Sequence, residues 1–488
     1  MLTRKIIPAF ALTLVLYGSV SWAQDQQPQQ PQQSQDNDPD APIPAVEPSD
    51  TNGAGNRQMP VPTARGLFGT DSQSAGTTTG GETQSLTDAE TFGLGFPNGT
   101  HNLFDAAIHL STGGQTGIVP GQTDFLLSAG GLASLNHSWN RYRLTAQYSG
   151  AEDIYRPTSS YDSAFQTLSV VQTILWRRTT LRFRDDFSQS SAATFGGLSI
   201  GGPGLTLPGL TTAVTPTLVP NETILTGSGD RVSNLFLGEV DYTLSRRSTL
   251  SFTGSYGILH FLTSGYINTQ NEDGRVGYSH QLDRKNTLGL VYDYDYISFS
   301  GGEGNVATNT LQAAYGRLLA GRTALSISAG PQFITSNAFG FSSPNEFSWS
   351  LNANISHQMR HTTVSAAYSR GVTNGSGVLL GAETQTVTGS VSTLAFHAWT
   401  PTLTGGYASN SSLSTDAAAA GVFQYSDWFV GVNFGRLWDR IIRTNFSYEF
   451  QQQFQNAASC PVLNCGPATF SQVFTVTVDW HLRPVSFE

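Results

Sequence analysis

Charge is what this sequence has least of. Of 488 residues only 12% are Asp, Glu, Lys or Arg, about half the share of an ordinary soluble domain. Ser, Thr, Asn, Gln and 51 Gly take the vacant places. Long hydrophobic runs are just as scarce: the hydrophobic fraction is 38% and the mean hydropathy −0.19, which excludes a bundle of membrane-spanning helices. Basic residues are in the minority, 25 Lys and Arg against 35 Asp and Glu, and a net charge of −10 with a pI near 5.3 argues against a nucleic-acid partner. Cysteine is nearly absent. Cys460 and Cys465 stand together in "SCPVLNCGP" with no His beside them, so in an exported chain they read as a small disulfide and not as a metal site. No metal or other cofactor is expected.

The apolar run that does exist lies at the N-terminus. Arg4 and Lys5 precede "IIPAFALTLVLY", and "SVSWA" supplies small residues around a cleavage point after Ala23. This is the pattern of a secretory signal peptide over residues 1–23, and its core is shorter than the roughly 20 residues needed to span a bilayer. No Cys follows the cleavage point, so a lipoprotein anchor is not expected. Residues 24–65, rich in Gln, Pro and Asp, cannot bury a core and read as a disordered periplasmic segment. Residues 66–102 form a Gly/Thr-rich linker. From 103 to 488 the pattern is repeated strands.

In "LGLVYDYDYISF" (288–299), Leu288, Leu290, Tyr292, Tyr294 and Tyr296 occupy one parity while Asp293 and Asp295 occupy the other. Such alternation belongs to a strand with unlike faces. "FSWSLNANISHQM" (347–359) sorts Phe347, Trp349, Leu351, Ala353, Ile355 and Met359 against Ser, Asn and Gln alone. Short basic or polar turns recur near positions 246, 285, 321, 360, 400 and 439, the fifth read at "WTP" (399–401) and the sixth at "DR" (439–440). The resulting repeat of about 39 residues is also a propeller-blade period, but a blade needs four short strands where this chain has long ones. Short turns at one end and longer Gly/Ser/Asn loops at the other describe an outer-membrane barrel. The expected fold is therefore all-β: a transmembrane antiparallel up-and-down β-barrel of about 18 strands, with 16 the alternative. Its tyrosine rows would face lipid and its carboxylate rows a water-filled lumen.

On these features, residues 103–482 resemble Gram-negative outer-membrane β-barrel proteins of the porin-like kind. "YTLSRRSTLSF", "YSHQLDRKNTLGL" and "ISHQMRHTTVSAAY" resemble hairpins of barrels associated with exopolysaccharide export and exosortase systems. The resemblance implies a bacterial outer-membrane location, both termini in the periplasm, contact with outer-membrane lipid, handling by the barrel-assembly machinery and, for an exporter, periplasmic export components. Such barrels end on a terminal aromatic, whereas "RPVSFE" follows Leu482 here.

Parity places Arg141, Arg143, Arg182, Arg184, Glu239, Asp241, Asp293, Asp295, Glu449 and Asp479 toward the lumen as pore-lining residues. An arginine patch across from a carboxylate patch would set a transverse field that orients solutes. The competing reading is simple wall-stiffening ion pairing, with Arg184 and Asp241 at similar heights. "GLSIG" (197–201) matches a hydrolase nucleophile pattern at Ser199, but Gly202, Pro203 and Gly204 follow where a helix is required. His260, His280 and His357 fall on the apolar parity. No enzyme is expected. Two functions remain: a channel for small polar solutes or an exported glycan, and a structural or surface-binding barrel with a blocked lumen. The 189–232 loop, long and nearly uncharged, either folds into the pore as a constriction or projects outward as a surface element.

Overall fold

The computed structural model describes residues 102–116, 123–157, 159, 162–190, 230–283, 285–300, 304–319, 322–338, 341–359, 361–394, 399–413, 424–439, 441–456, 469–483 and 485–487. The signal peptide, the Gln/Pro segment, most of the linker, Ser199 with most of the 189–232 loop, and both cysteines lie outside these residues.

Eighteen long strands run antiparallel in chain order. The first six are β1 (Asn102–Thr116), β2 (Thr123–Trp139), β3 (Tyr142–Arg156), β4 (Ser163–Leu175), β5 (Thr179–Ser190) and β6 (Arg231–Ser245). The next six are β7 (Ser248–Phe261), β8 (Thr269–Gln281), β9 (Asn286–Phe299), β10 (Gly304–Leu319), β11 (Thr323–Ala338) and β12 (Phe341–Gln358). The last six are β13 (Thr362–Thr373), β14 (Ala382–Thr393), β15 (Trp399–Ser412), β16 (Gln424–Asp439), β17 (Ile442–Asn456) and β18 (Thr469–His481). Each pairs with the next, and β18 returns to β1 from Ala107↔His481 to Thr116↔Gln472, closing the sheet. A three-residue β19 (Val485–Phe487) continues the chain along the start of β1. Closure leaves no edge strand, which is what lets a sheet sit in hydrocarbon: each unpaired backbone group there would cost several kcal/mol.

The expected eighteen strands are present, with two turn boundaries moved. Asp439, read from sequence as a turn residue, ends β16 opposite Ile442. Trp399 and Pro401, read from sequence as a turn, already belong to β15, opposite Arg436 and Phe434. Pro401 is tolerated close to the strand's first residue, where a missing N–H interrupts the ladder least.

The faces separate as the alternation requires. Tyr292 and Tyr294 are exposed on the outside, as are Leu288 and Leu290, while Asp295, the next residue along, is buried inside. The same split holds on β12, where Phe347 and Trp349 are exposed and Ser348 and Ser350 buried. Large exposed apolar side chains therefore cover the outer wall, and hydroxyl, amide and carboxylate groups line the inner one. This inverts a soluble protein. Aromatic residues gather near the short-turn end, where Trp139 stacks on Tyr142 at 5.4 Å between ring centroids, as expected for rings at a membrane interface.

The short turns are built locally. In the turn after β8, Asp283 accepts hydrogen bonds from the backbone N–H groups of Lys285 (2.6 Å) and Asn286 (2.8 Å) and from the Asn286 side chain (2.7 Å). The Asn286 and Lys285 donors hold its carboxyl below the usual carboxylate range. The turn thus keeps its cap while that carboxylate is ionised and loses it as pH falls through the lowered value.

If the outer wall faces lipid, Leu290→Arg near mid-strand should cost about 2–4 kcal/mol in a bilayer. Urea unfolding from lipid vesicles measures this, and the wild-type barrel should migrate differently in gels when unheated and when boiled.

Candidate functional site

The lumen wall divides into arcs of different chemistry. On β5, β6, β8 and β9 inward positions carry charged, paired residues. Arg182 stands opposite Glu239, with Nη1 donating to Oε2 at 2.5 Å. Arg184 reaches Asp186 two residues along its own strand, Nε to Oδ2 at 2.5 Å, and its cross-strand neighbour is Leu237, not Asp241 as sequence heights suggested. Asp241 lies inward, opposite Thr180 and Ser251.

Arg275 of β8 was missed by the sequence reading and is the centre of the next cluster. Its Nη2 lies 3.0 Å from Asp293 and 4.0 Å from Asp273, while Asp273 stands directly opposite Asp295. Two carboxylates facing each other across a ladder repel, and the adjacent guanidinium offsets that. The expectation that Asp293 and Asp295 are simply water-solvated is corrected accordingly. Asp295 is only 7% exposed and Asp293 is engaged by Arg275. In "TQNEDGRVGYSHQ" (269–281), Asp273 and Arg275 share one parity, a signal that strict alternation could have supplied.

A second charged arc spans the closing seam. Asp479 is hydrogen-bonded to His109 Nδ1 at 2.8 Å and accepts from Asn445 Nδ2 at 3.3 Å, and it stands opposite Arg443 in the ladder. His481 approaches Asp105 at 3.5 Å. Glu449 points inward on β17, opposite Val473. His109 and Asp479 are 370 positions apart, so only closure brings them together. Of the remaining residues proposed from parity, Arg143 lies on the inward side of β3, and Arg141 sits exposed in the tight turn before that strand and not on the wall. His260, His280 and His357 take outward positions, with His280 bonded to Ser248 (2.9 Å) and His357 to Thr323 (2.6 Å).

On β13 to β15 the inward positions are uncharged. Ser365 pairs with Ser390 and Ser369 with Thr386, both at 2.6 Å, and Thr384 donates to Asn410 at 2.8 Å. Gln312 reaches Ser350 at 2.7 Å across Gly330, whose missing side chain leaves the space.

The upper mouth breaks the polar pattern. After β13 the chain runs "NGSGVLLG" (374–381) into the barrel, with Gly375, Ser376 and Gly377 in one buried turn capped by the Asn374 side chain on the Ser376 N–H. This connection meets the one between β7 and β8: Ile267 N–H donates to Gly377 carbonyl at 2.9 Å, and Asn374 Nδ2 to Thr269 at 3.2 Å. Leu380 packs with Ile297, Phe299, Val306, Ile334 and Leu413, an apolar cluster on the inner side of the wall. Gly377 has φ +73, and a Cβ there would strike the Phe261 ring. Only glycine fits that position. In "YISF" (296–299), Ile297 and Phe299 fall on the carboxylate parity, a break in the polar row that could have signalled this cluster.

No protein-family model matches the chain, and no curated protein matches it. Among solved structures it is similar to OccK2 (OpdF) of Pseudomonas aeruginosa, at 10% identity over 78% of this chain and 98% of that one, with a TM-score of 0.42. It is similar also to OpdK of the same organism, solved with vanillate, at 9% identity over 79% and 99% with a TM-score of 0.41. OccK2 has a further structure in complex with glucuronate, aligned at 10% identity over 79% and 98% with a TM-score of 0.40. The closed eighteen-strand sheet, its lipid-facing apolar wall and its polar lumen define the class of this protein: a porin-like outer-membrane β-barrel.

Removing the guanidinium by Arg275→Gln should destabilise the barrel by about 3–5 kcal/mol, because it leaves neighbouring carboxylates buried without their counter-charge. Adding Asp293→Asn should restore part of the loss. A double-mutant cycle by urea unfolding in vesicles gives the coupling.

Proposed function

We propose that this protein is an outer-membrane channel for small polar solutes, with a lumen that favours cations and neutral hydroxylated molecules over anions. The observation that carries this reading is the imbalance of the buried inner wall. Asp124, Asp153, Asp241, Asp295, Asp427 and Asp479 are carboxylates on inward faces, in addition to Asp186, Glu239 and Asp293 paired with arginine, against six inward arginines, Arg143, Arg182, Arg184, Arg231, Arg275 and Arg443. A wall of net negative sign raises the local concentration of cations. The Ser, Thr and Asn rungs of β13 to β15 offer donors and acceptors that can replace a solute's hydration without a charge preference.

The exported-glycan reading rests on hairpin resemblance alone, and small solutes are the better fit to a mouth crossed by an apolar connection. A second reading, a barrel with a blocked lumen, draws on that same connection. Ion pairs along the wall support either reading, because a pair that stiffens the wall carries little net field.

Recording in planar bilayers separates the two. Wild-type protein should conduct with cation preference, and replacing residues 375–380 by two glycines should raise single-channel conductance severalfold. Silence in the wild type with conduction in the variant would establish the connection as a plug. Silence in both, with heat-modifiable mobility retained, would leave the barrel a structural one.

A further inference from the structure

Near the short-turn end of β16, Arg436 points outward, on the same parity as the exposed, lipid-facing Phe434 and Trp438. Its guanidinium carbon lies 3.8 Å from the Trp438 ring centroid and 5.3 Å from that of Trp399. The register explains the arrangement: Arg436 stands opposite Trp399 on β15 and opposite Thr444 on β17, and Trp438 Nε1 donates to the Thr444 hydroxyl at 2.6 Å. Trp399 is in turn edge-on to Trp438 at 6.4 Å and tilted against Phe446 at 6.3 Å. The guanidinium is thereby fixed in a cage of two indoles on the outer wall.

What the cage lacks is an anion. Among the described residues no carboxylate forms an ion pair with Arg436, and its Nε is buried without a hydrogen-bond partner. The contrast lies within the same barrel. Arg370 also covers a tryptophan, Trp349 at 4.1 Å, but it is completed by an ion pair with Glu383. A guanidinium stacked on aromatic faces keeps its terminal Nη N–H donors in plane for a planar or tetrahedral oxyanion. On a lipid-facing wall a few residues from the membrane-proximal turn, the oxyanion at hand is a headgroup phosphate.

We propose that Arg436, Trp399 and Trp438 form a binding site for the phosphodiester of one membrane phospholipid at the short-turn, periplasmic interface. Arg436 donates to the phosphate oxygens, the two indoles fix the guanidinium plane, and Phe434 and Phe446 below contact the acyl chains. The site is independent of conduction, so it stands or falls separately from the channel reading.

The test is native mass spectrometry of the full-length protein in a phosphate-free maltoside detergent, titrated with dioctanoyl phosphatidylglycerol, with dioctanoylglycerol and with inorganic phosphate. One phosphatidylglycerol should bind ahead of the rest, and Arg436→Gln should weaken it by roughly fivefold or more, the scale of losing a charge-assisted fork. Arg436→Lys should fall between, because it keeps charge and loses the planar fork. Dioctanoylglycerol should bind without preference, and inorganic phosphate at equal concentration should not displace the lipid. Equal affinity in wild type and Arg436→Gln would overturn the proposal, as would equal binding of the phosphate-free lipid. Displacement by inorganic phosphate would make it an ion site and overturn the lipid assignment. If Arg436→Gln fails to reach the heat-modifiable form, Arg436→Lys carries the same comparison, and an unweakened Lys variant would count against the fork.

Discussion

A backbone amide in hydrocarbon has no water to bond to, and that constraint organises the whole protein. It requires every strand to be paired on both sides, so the sheet must close, and closure joins β1 to β18 across almost the whole described chain. Closure sends one parity of every strand to lipid and the other to the interior. The low charge of the sequence follows. A lipid-facing parity disfavours charge, and an interior that shields its side chains favours charges that are paired.

That second restriction explains the lumen. Arg182 with Glu239, Arg184 with Asp186, and Arg275 with Asp293 are each held within hydrogen-bonding distance. Asp479 is met by His109 and Asn445. A buried carboxylate left alone would be costly, and partners on adjacent strands or two residues along remove that cost. The pairing spreads charge along the wall and does not set one sign against the other across the pore. Hydroxyl and amide rungs fill the uncharged arc, where neutral pairs satisfy one another without any counter-charge.

The upper mouth follows a different rule. There the connection between β13 and β14 places Leu380 against inward apolar residues from β9 to β11 and Leu379 against Tyr425 of β16. Apolar burial, and not polar pairing, fixes this segment. Two backbone hydrogen bonds, from Ile267 to Gly377 and from Leu413 to Gly381, seat it against connections on either side.

Strand count, face assignment and the end carrying short turns were legible in the sequence, because a period of two survives in every strand whatever its neighbours are. Tyr292 and Tyr294 against Asp293 and Asp295 needed no structure to be sorted. Partnership was not legible: register fixes which inward charge meets which, and parity alone cannot distinguish Arg184 opposite Leu237 from Arg184 opposite Asp241. Arg141 shows the same limit at a turn, where alternation stops and one residue decides between wall and exposed bend. The sequence by itself therefore determined that this chain closes into a barrel with lipid outside and polar groups within. Only the tertiary structure decided that His109 meets Asp479, that "NGSGVLLG" enters the mouth, and that Arg436 is caged by Trp399 and Trp438, because each depends on the ladder register or on chain closure, neither of which a single strand carries.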